Sequence, residues 1–206
     1  MAEKDVYLAS KSPRRKALLE QLGYRVTVIA GNAHTAGYFP GDEERLAGES
    51  PEAYVRRTAR TKFAEGLARR DALGLPAGPV LAADTVVSLG DEVLGKPADA
   101  EEAKAFLRRL SGCAHLVQTT VVAGTSLEDA EELTSTSSVL FRPLSESEID
   151  AYVATGEPFD KAGGYGIQGL AGVFVERIDG SFTGIMGLPV REASEVLARA
   201  GRPVFP

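Results

Sequence analysis

One stretch constrains this chain of 206 residues more than any other: PVLAADTVVSLG, residues 79–90. It is short, apolar, partly β-branched and bounded by proline and glycine, which predicts a buried strand. A single carboxylate, Asp84, stands in its middle. A charge there is costly unless it is paired, hydrogen-bonded or bound to metal. Two readings follow. Asp84 is either a structural group satisfied by backbone N–H donors near a strand end, or an acid with a chemical task. Thr85 comes next, and Gly95-Lys96-Pro97 follows soon after. A lysine set in a tight turn can meet phosphate as a point charge, or simply face solvent.

The rest of the chain alternates strand and helix signals around that run. Val6 to Ala9 reads as a strand. Ser12-Pro13 is an N-cap with proline at the first helical position, Leu18, Leu19 and Leu22 share one helical face, and Gly23 ends it. Residues 25–29 read as a second strand. Ser50-Pro51-Glu52 opens a helix whose buried stripe is Ala59, Phe63 and Leu67. Asp99 and Glu102 open another, with Ala103, Phe106, Leu107 and Leu110 on its apolar face. Residues 116–123, 134–141 and 172–178 predict strands. Ser145 with Glu148 predicts a capping box, and residues 189–199 a last amphipathic helix. This order predicts an α/β fold with a mixed central sheet flanked by helices. No linker interrupts it, so a single domain over residues 1–206, with two lobes around a cleft, is expected.

The segment ASKSPRR places Arg14 and Arg15 in the first turn of the first helix. That end already carries partial positive charge and free N–H groups, so two added guanidinium groups suit a phosphate or carboxylate. Taken alone they also suit a solvated helix surface. Asp42, Glu43, Glu44 and Glu49 lie in or just after a long irregular stretch beginning at residue 30. Such acids are either solvated or, one or two at a time, ligands of a hard cation. GGYGIQG, residues 163–169, offers bare backbone and the amide of Gln168, which can donate to and accept from a base edge. His34 and His115 have no metal-ligand spacing. No Walker loop, dinucleotide fingerprint or nucleophile elbow is present.

The net charge of −6 argues against a general nucleic-acid-coating surface while leaving room for a local basic pocket. Cys113 is the only cysteine, which suits a reducing compartment. No apolar run approaches the roughly 20 residues of a membrane span, and MAEKDVYLAS is too polar for a secretory signal. A soluble cytoplasmic protein is expected, with no nucleic-acid or membrane partner.

In combination, LASKSPRRKALL, AADTVV, LGKP, the stretch Leu110 to Thr119, GEPFDKAGGYGIQG and GLPV resemble the Maf family of nucleoside triphosphate pyrophosphatases, in order and over nearly the whole chain. The resemblance implies an ITPase-like fold and cleavage between the α and β phosphorus atoms of a nucleoside triphosphate, with a divalent metal such as magnesium or manganese. It implies that Asp84 is the proton acceptor or a metal ligand, with Glu43 also on the metal. Ser10, Arg15, Lys62 and Lys96 fall at substrate positions. Arg14, Thr85 and Gln168 fall where members preferring dTTP and UTP carry their specificity residues. The resemblance also suggests a homodimer. Two other readings share these residues: a broader or purine-directed pyrophosphatase, and a non-catalytic nucleotide-binding regulator of cell division. One departure is AGNAHTAGYFPG, residues 30–41, longer than the family pattern and adjoining Glu43.

Overall fold

The computed structural model describes residues 4–30 and 45–205. Glu43 and nearly all of the 30–41 insertion lie outside the described residues. The described part forms a seven-stranded sheet. Its strands are β1 (Asp5–Leu8), β2 (Arg25–Val28), β3 (Val80–Leu89), β4 (Glu92–Leu94), β5 (Ala114–Gly124), β6 (Glu131–Phe141) and β7 (Val175–Asp179). The order is β2-β1-β3-β5-β6-β7, with β4 also on β3. β1 is parallel to β2 and β3, while β3, β5, β6 and β7 run antiparallel in succession, so the sheet is mixed as expected.

The helices are α1 (Pro13–Gln21), α2 (Pro51–Ala72), α3 (Ala100–Leu110), α4 (Glu146–Ala154), α5 (Phe182–Met186) and α6 (Val190–Arg199). The sequence caps form. Ser12, Ser50 and Asp99 accept N–H bonds from Arg15, Ala53 and Glu102, and Ser145 with Glu148 closes a capping box.

The apolar run at 80–89 is the spine of the core. Successive side chains of a strand point to opposite faces. Leu81 and Ala83 pack with Leu18 and Leu19 of α1 and with Ala193, Val196 and Leu197 of α6. Val80 and Ala82 pack on the other face with Ala59, Phe63 and Leu67 of α2. Farther along, Val87 joins a third cluster with Phe106, Leu107 and Leu110 of α3 and Ile149 and Val153 of α4. Asp84 and Thr85 fall where the first two clusters hand over to the third, and there the strand becomes only partly buried.

The same place is a gap in the sheet. β5 covers one edge of β3 from Val80 to Ser88. On the opposite edge β1 pairs only with Val80 and Leu81, and β4 only from Val87 onward. No described strand covers the edge between them, and a cleft opens over it.

Three local differences from the sequence expectations have clear causes. β4 was not expected. Leu89 pairs with Glu92 across the two-residue turn Gly90-Asp91, with Gly90 at φ +61°, the left-handed backbone such hairpins need. β7 starts at Val175 rather than residue 172, because residues Leu170–Phe174 coil into a 3-10 turn in which Gly172 N–H bonds Gly169 O. The short α5, capped by Ser181, has too few residues for a periodic signal.

Candidate active site

The cleft over the gap has a volume of about 850 Å³. Ser10, Arg14, Arg15, Lys62, Asp84, Thr85, Lys96 and Gln168 all line it. They come from separate parts of the chain that the fold brings together, whereas Glu49, the one candidate loop acid among the described residues, does not line the cleft and pairs with Arg57 at 2.8 Å.

Asp84 points to the α2 face of the sheet. Its Oδ1 accepts from Lys62 Nζ at 2.6 Å and its Oδ2 from Thr58 Oγ1 at 2.6 Å. Thr58 and Lys62 are four residues apart on α2, hence on one helical face. The carboxylate in the apolar strand is therefore both paired and hydrogen-bonded, as its burial requires. Beside it, Gly66 lets α2 approach the sheet. A Cβ there would lie 2.7 Å from Ala9 Cβ and 2.8 Å from Val80 Cγ1.

Thr85 points to the other face, toward α1. Arg15 Nη2 donates to its hydroxyl at 3.1 Å. Arg15 Nη1 donates to Ser10 Oγ at 3.2 Å and Nε to the Gly187 carbonyl at 2.7 Å. Enclosure lowers the Arg15 pKa from its ordinary value, while the Asp84 charge raises it and Arg14 lowers it. A guanidinium has five N–H donors, and its hydrogen-bond partners here are neutral oxygens. That arrangement leaves the enclosed cation short of anionic contact, the electrostatic condition for holding a phosphate. Gly187 belongs to the GLPV stretch and has φ +114°, with room for a Cβ only 3.6 Å from Arg15 Nε and Thr85 Oγ1.

The Thr85 hydroxyl is also 2.9 Å from Thr119 Oγ1, and Thr119 donates to the Gly184 carbonyl at 2.8 Å. Thr119 has one hydroxyl proton, so Thr85 must be the donor between the two threonines.

The remaining rim comes from two turns. Lys96 is exposed at the cleft, in the turn after β4. Gly163 N–H bonds Gly95 O at 2.9 Å, docking the glycine-rich loop against that lysine turn. Gly163 has φ +72°, and a Cβ on it would lie 2.9 Å from Val87 Cγ1. Gln168 is exposed on this loop. Arg14 Nη1 reaches across to Asp160 Oδ2 at 3.4 Å, linking α1 to the 3-10 turn Glu157–Asp160. Lys161 Nζ pairs with the other oxygen of Asp160 and donates to the Glu157 carbonyl at 2.8 Å.

The family model for Maf-like protein matches residues 5–200. The chain belongs to the Maf-like protein family. Among its relatives, the dTTP/UTP pyrophosphatase of Cupriavidus metallidurans is 49% identical over 200 residues, covering 95% of this chain and 96% of the relative. The dTTP/UTP pyrophosphatase of Dechloromonas aromatica is 48% identical, with 97% and 99% covered. Among solved structures, the Ham1 protein of Staphylococcus aureus superimposes with a TM-score of 0.43 at 15% identity, covering 67% of this chain and 72% of that one.

Within this Maf family member, sequence reasoning missed Thr58, Thr119, Asp160 and Lys161. Thr58 was detectable as the residue one helical turn before Lys62. Asp160 and Lys161 sit inside GEPFDKAGG, but nothing in their spacing says that Asp160 meets Arg14, 146 residues away in sequence. Among the described residues no group of three His, Cys, Asp or Glu side chains gathers in metal-binding geometry, and Glu43 lies outside them. No described helix is long and apolar enough to cross a membrane.

Proposed function

We propose that this chain hydrolyses the α–β phosphoanhydride of dTTP and UTP to the monophosphate and pyrophosphate, in the cytoplasm and with a divalent cation, magnesium or manganese. The observation that carries this reading is the convergence of Arg14, Arg15, Lys62, Lys96 and Asp84 on one cleft. Among the described residues its lining carries seven cations against three carboxylates, Glu65, Asp84 and Asp160, a positive excess that suits a polyanionic substrate, and phosphoryl transfer depends mainly on positioning and charge stabilisation. The names of the relatives, dTTP/UTP pyrophosphatase, support the bond and the bases.

Each residue then has a task. Arg15, held by Gly187, Ser10 and Thr85, turns its remaining N–H donors to phosphate oxygens. Lys96 and Arg14 meet the phosphates from the rim, Arg14 leaving the exposed Asp160. Asp84, held by Thr58 and Lys62, accepts the proton of the attacking water. Gln168 reads the base edge, and Thr85, its proton committed to Thr119, presents only acceptor capacity to a ligand. A magnesium-sized cation is typically held by one or two carboxylates plus waters and substrate phosphates. Asp84 fits that role, since a carboxylate has about four acceptor positions and two are used here. Glu43 is the second proposed ligand. Such a cation, when bound, polarises a phosphate and lowers the pKa of bound water.

The test is an assay of purified protein with magnesium or manganese on a panel of nucleoside triphosphates. Pyrophosphate from dTTP and UTP is expected. Orthophosphate plus nucleoside diphosphate, or no turnover of any nucleotide, overturns the reading.

A further inference from the structure

Gln168 can discriminate between bases only if its backbone is held in place, yet it belongs to a glycine-rich loop and its side chain is exposed. One carboxylate gathers that loop from both sides. Glu157 Oε2 accepts the Leu170 N–H at 3.0 Å, and Oε1 makes a longer contact of 3.5 Å with the Ala171 N–H. Glu157 Oε1 also accepts the Tyr152 hydroxyl at 2.9 Å, and the Tyr152 oxygen accepts the Gly166 N–H at 3.3 Å. The backbone before Gln168 and the backbone after it therefore end on the same side chain. Gly169 completes the fit, because a Cβ there would lie 2.5 Å from Glu157 Oε1.

We infer that Glu157 is a positioning residue for base selection. It touches neither the base nor the reacting phosphate. It acts by fixing residues 166–171, and so the direction in which the Gln168 amide enters the cleft. Three donors converge on its two oxygens, an arrangement only an acceptor-only group satisfies in full. The isosteric amide of Glu157→Gln replaces one oxygen with an NH2, which faces either the Tyr152 hydroxyl or the Leu170 N–H. Facing Tyr152, that NH2 can donate to a turned phenolic hydroxyl and both anchors survive, whereas Glu157→Leu has no acceptor for either. Tyr152→Phe removes the Gly166 anchor and leaves the Leu170 anchor in place.

The inference rests on the reading of Gln168 as the base-contacting amide. Its test measures kcat/KM for dTTP and for dCTP on the same preparation of each variant. The ratio cancels the folded fraction, so partial misfolding does not disturb it. Glu157→Leu is expected to lower the dTTP to dCTP ratio by about tenfold, roughly the value of one well-placed hydrogen bond to a charged group. The loss should sit in the dTTP arm as a raised KM with kcat less affected. Tyr152→Phe should move the ratio the same way by a smaller factor. A parent protein that shows no preference for dTTP would mean that the Gln168 reading has failed. A preference in the parent that both variants keep unchanged overturns the role of Glu157 alone. Equal loss on both nucleotides, or loss of all turnover, also overturns it, because the carboxylate would then serve folding or chemistry rather than selection.

Discussion

Lys62 and Asp84 are joined across the floor of the cleft, Nζ to Oδ1 at 2.6 Å, with Thr58 completing the pair through Oδ2. The pair sets the direction of both carboxylate oxygens, and it ties the position of the acid to the position of α2 on the sheet.

Asp84→Asn keeps the shape but turns an NH2 toward either Lys62 or Thr58. Turnover of dTTP should fall by about 10²–10⁴-fold, the usual scale for losing a positioned acid or base. Steady-state kcat beside a thermal unfolding curve checks this. Undiminished kcat in a folded variant would remove Asp84 from the chemistry.

Gly66 lies inside α2, where alanine is intrinsically favoured over glycine by about 1 kcal/mol. The structure reverses that expectation, since the added methyl would overlap Ala9 and Val80. Gly66→Ala should destabilise the protein by about 1–3 kcal/mol through overpacking. It should also lower turnover, because Lys62, one turn earlier, moves off Asp84. A raised Tm with normal activity would show that α2 does not need this close approach.

Asp160 is an exposed acid on the rim of a cleft built for an anion. Its pair with Arg14 is long and solvated, so it contributes about 0–1 kcal/mol to stability. Asp160→Asn should leave Tm nearly unchanged and lower the KM for nucleoside triphosphate by a few-fold, since it removes both a repulsive charge and a competitor for Arg14. A raised KM would instead make Asp160 a positioner of Arg14.

His115 is buried, with Nε2 2.8 Å from the Tyr165 hydroxyl and its ring edge-on to Phe141 and Tyr165. Burial pushes its pKa from 6.5 down to about 4. Between those values the unfolded chain binds a proton that the folded chain does not, so stability falls as pH drops through that window and this contribution levels off below it. The full effect is of order 3 kcal/mol. Unfolding free energies from pH 7 to 4 on the parent and on His115→Phe check it. The variant should lose that part of the slope, and identical slopes would contradict the burial effect.

The sequence was informative where local physics is decisive. Ser12-Pro13, Ser50-Pro51, Asp99 with Glu102 and Ser145 with Glu148 start helices because each side chain satisfies N–H groups within three residues of itself. The strand at 80–89 was readable because its apolar residues have nowhere to go but a core. Its one misfit, Asp84, pointed to the cleft for the same reason. The site residues were reached through their resemblance to a family pattern, which records ordered motifs and says nothing of the distances between them.

What the sequence determined by itself was thus the longer elements, their caps, the buried strand and the oddness of an acid within it. Tertiary structure alone decided the partners: Lys62 and Thr58 on Asp84, Arg15 on Gly187 and Thr85, Arg14 on Asp160, and Glu157 beneath the loop of Gln168. Caps and periodicities are settled within a turn or two of chain, where neighbouring residues are always near one another. These pairs include partners up to 172 residues apart in sequence. They meet because the sheet and the helices packed on it bring distant segments to one cleft, a property of how the fold is assembled rather than of any segment in it.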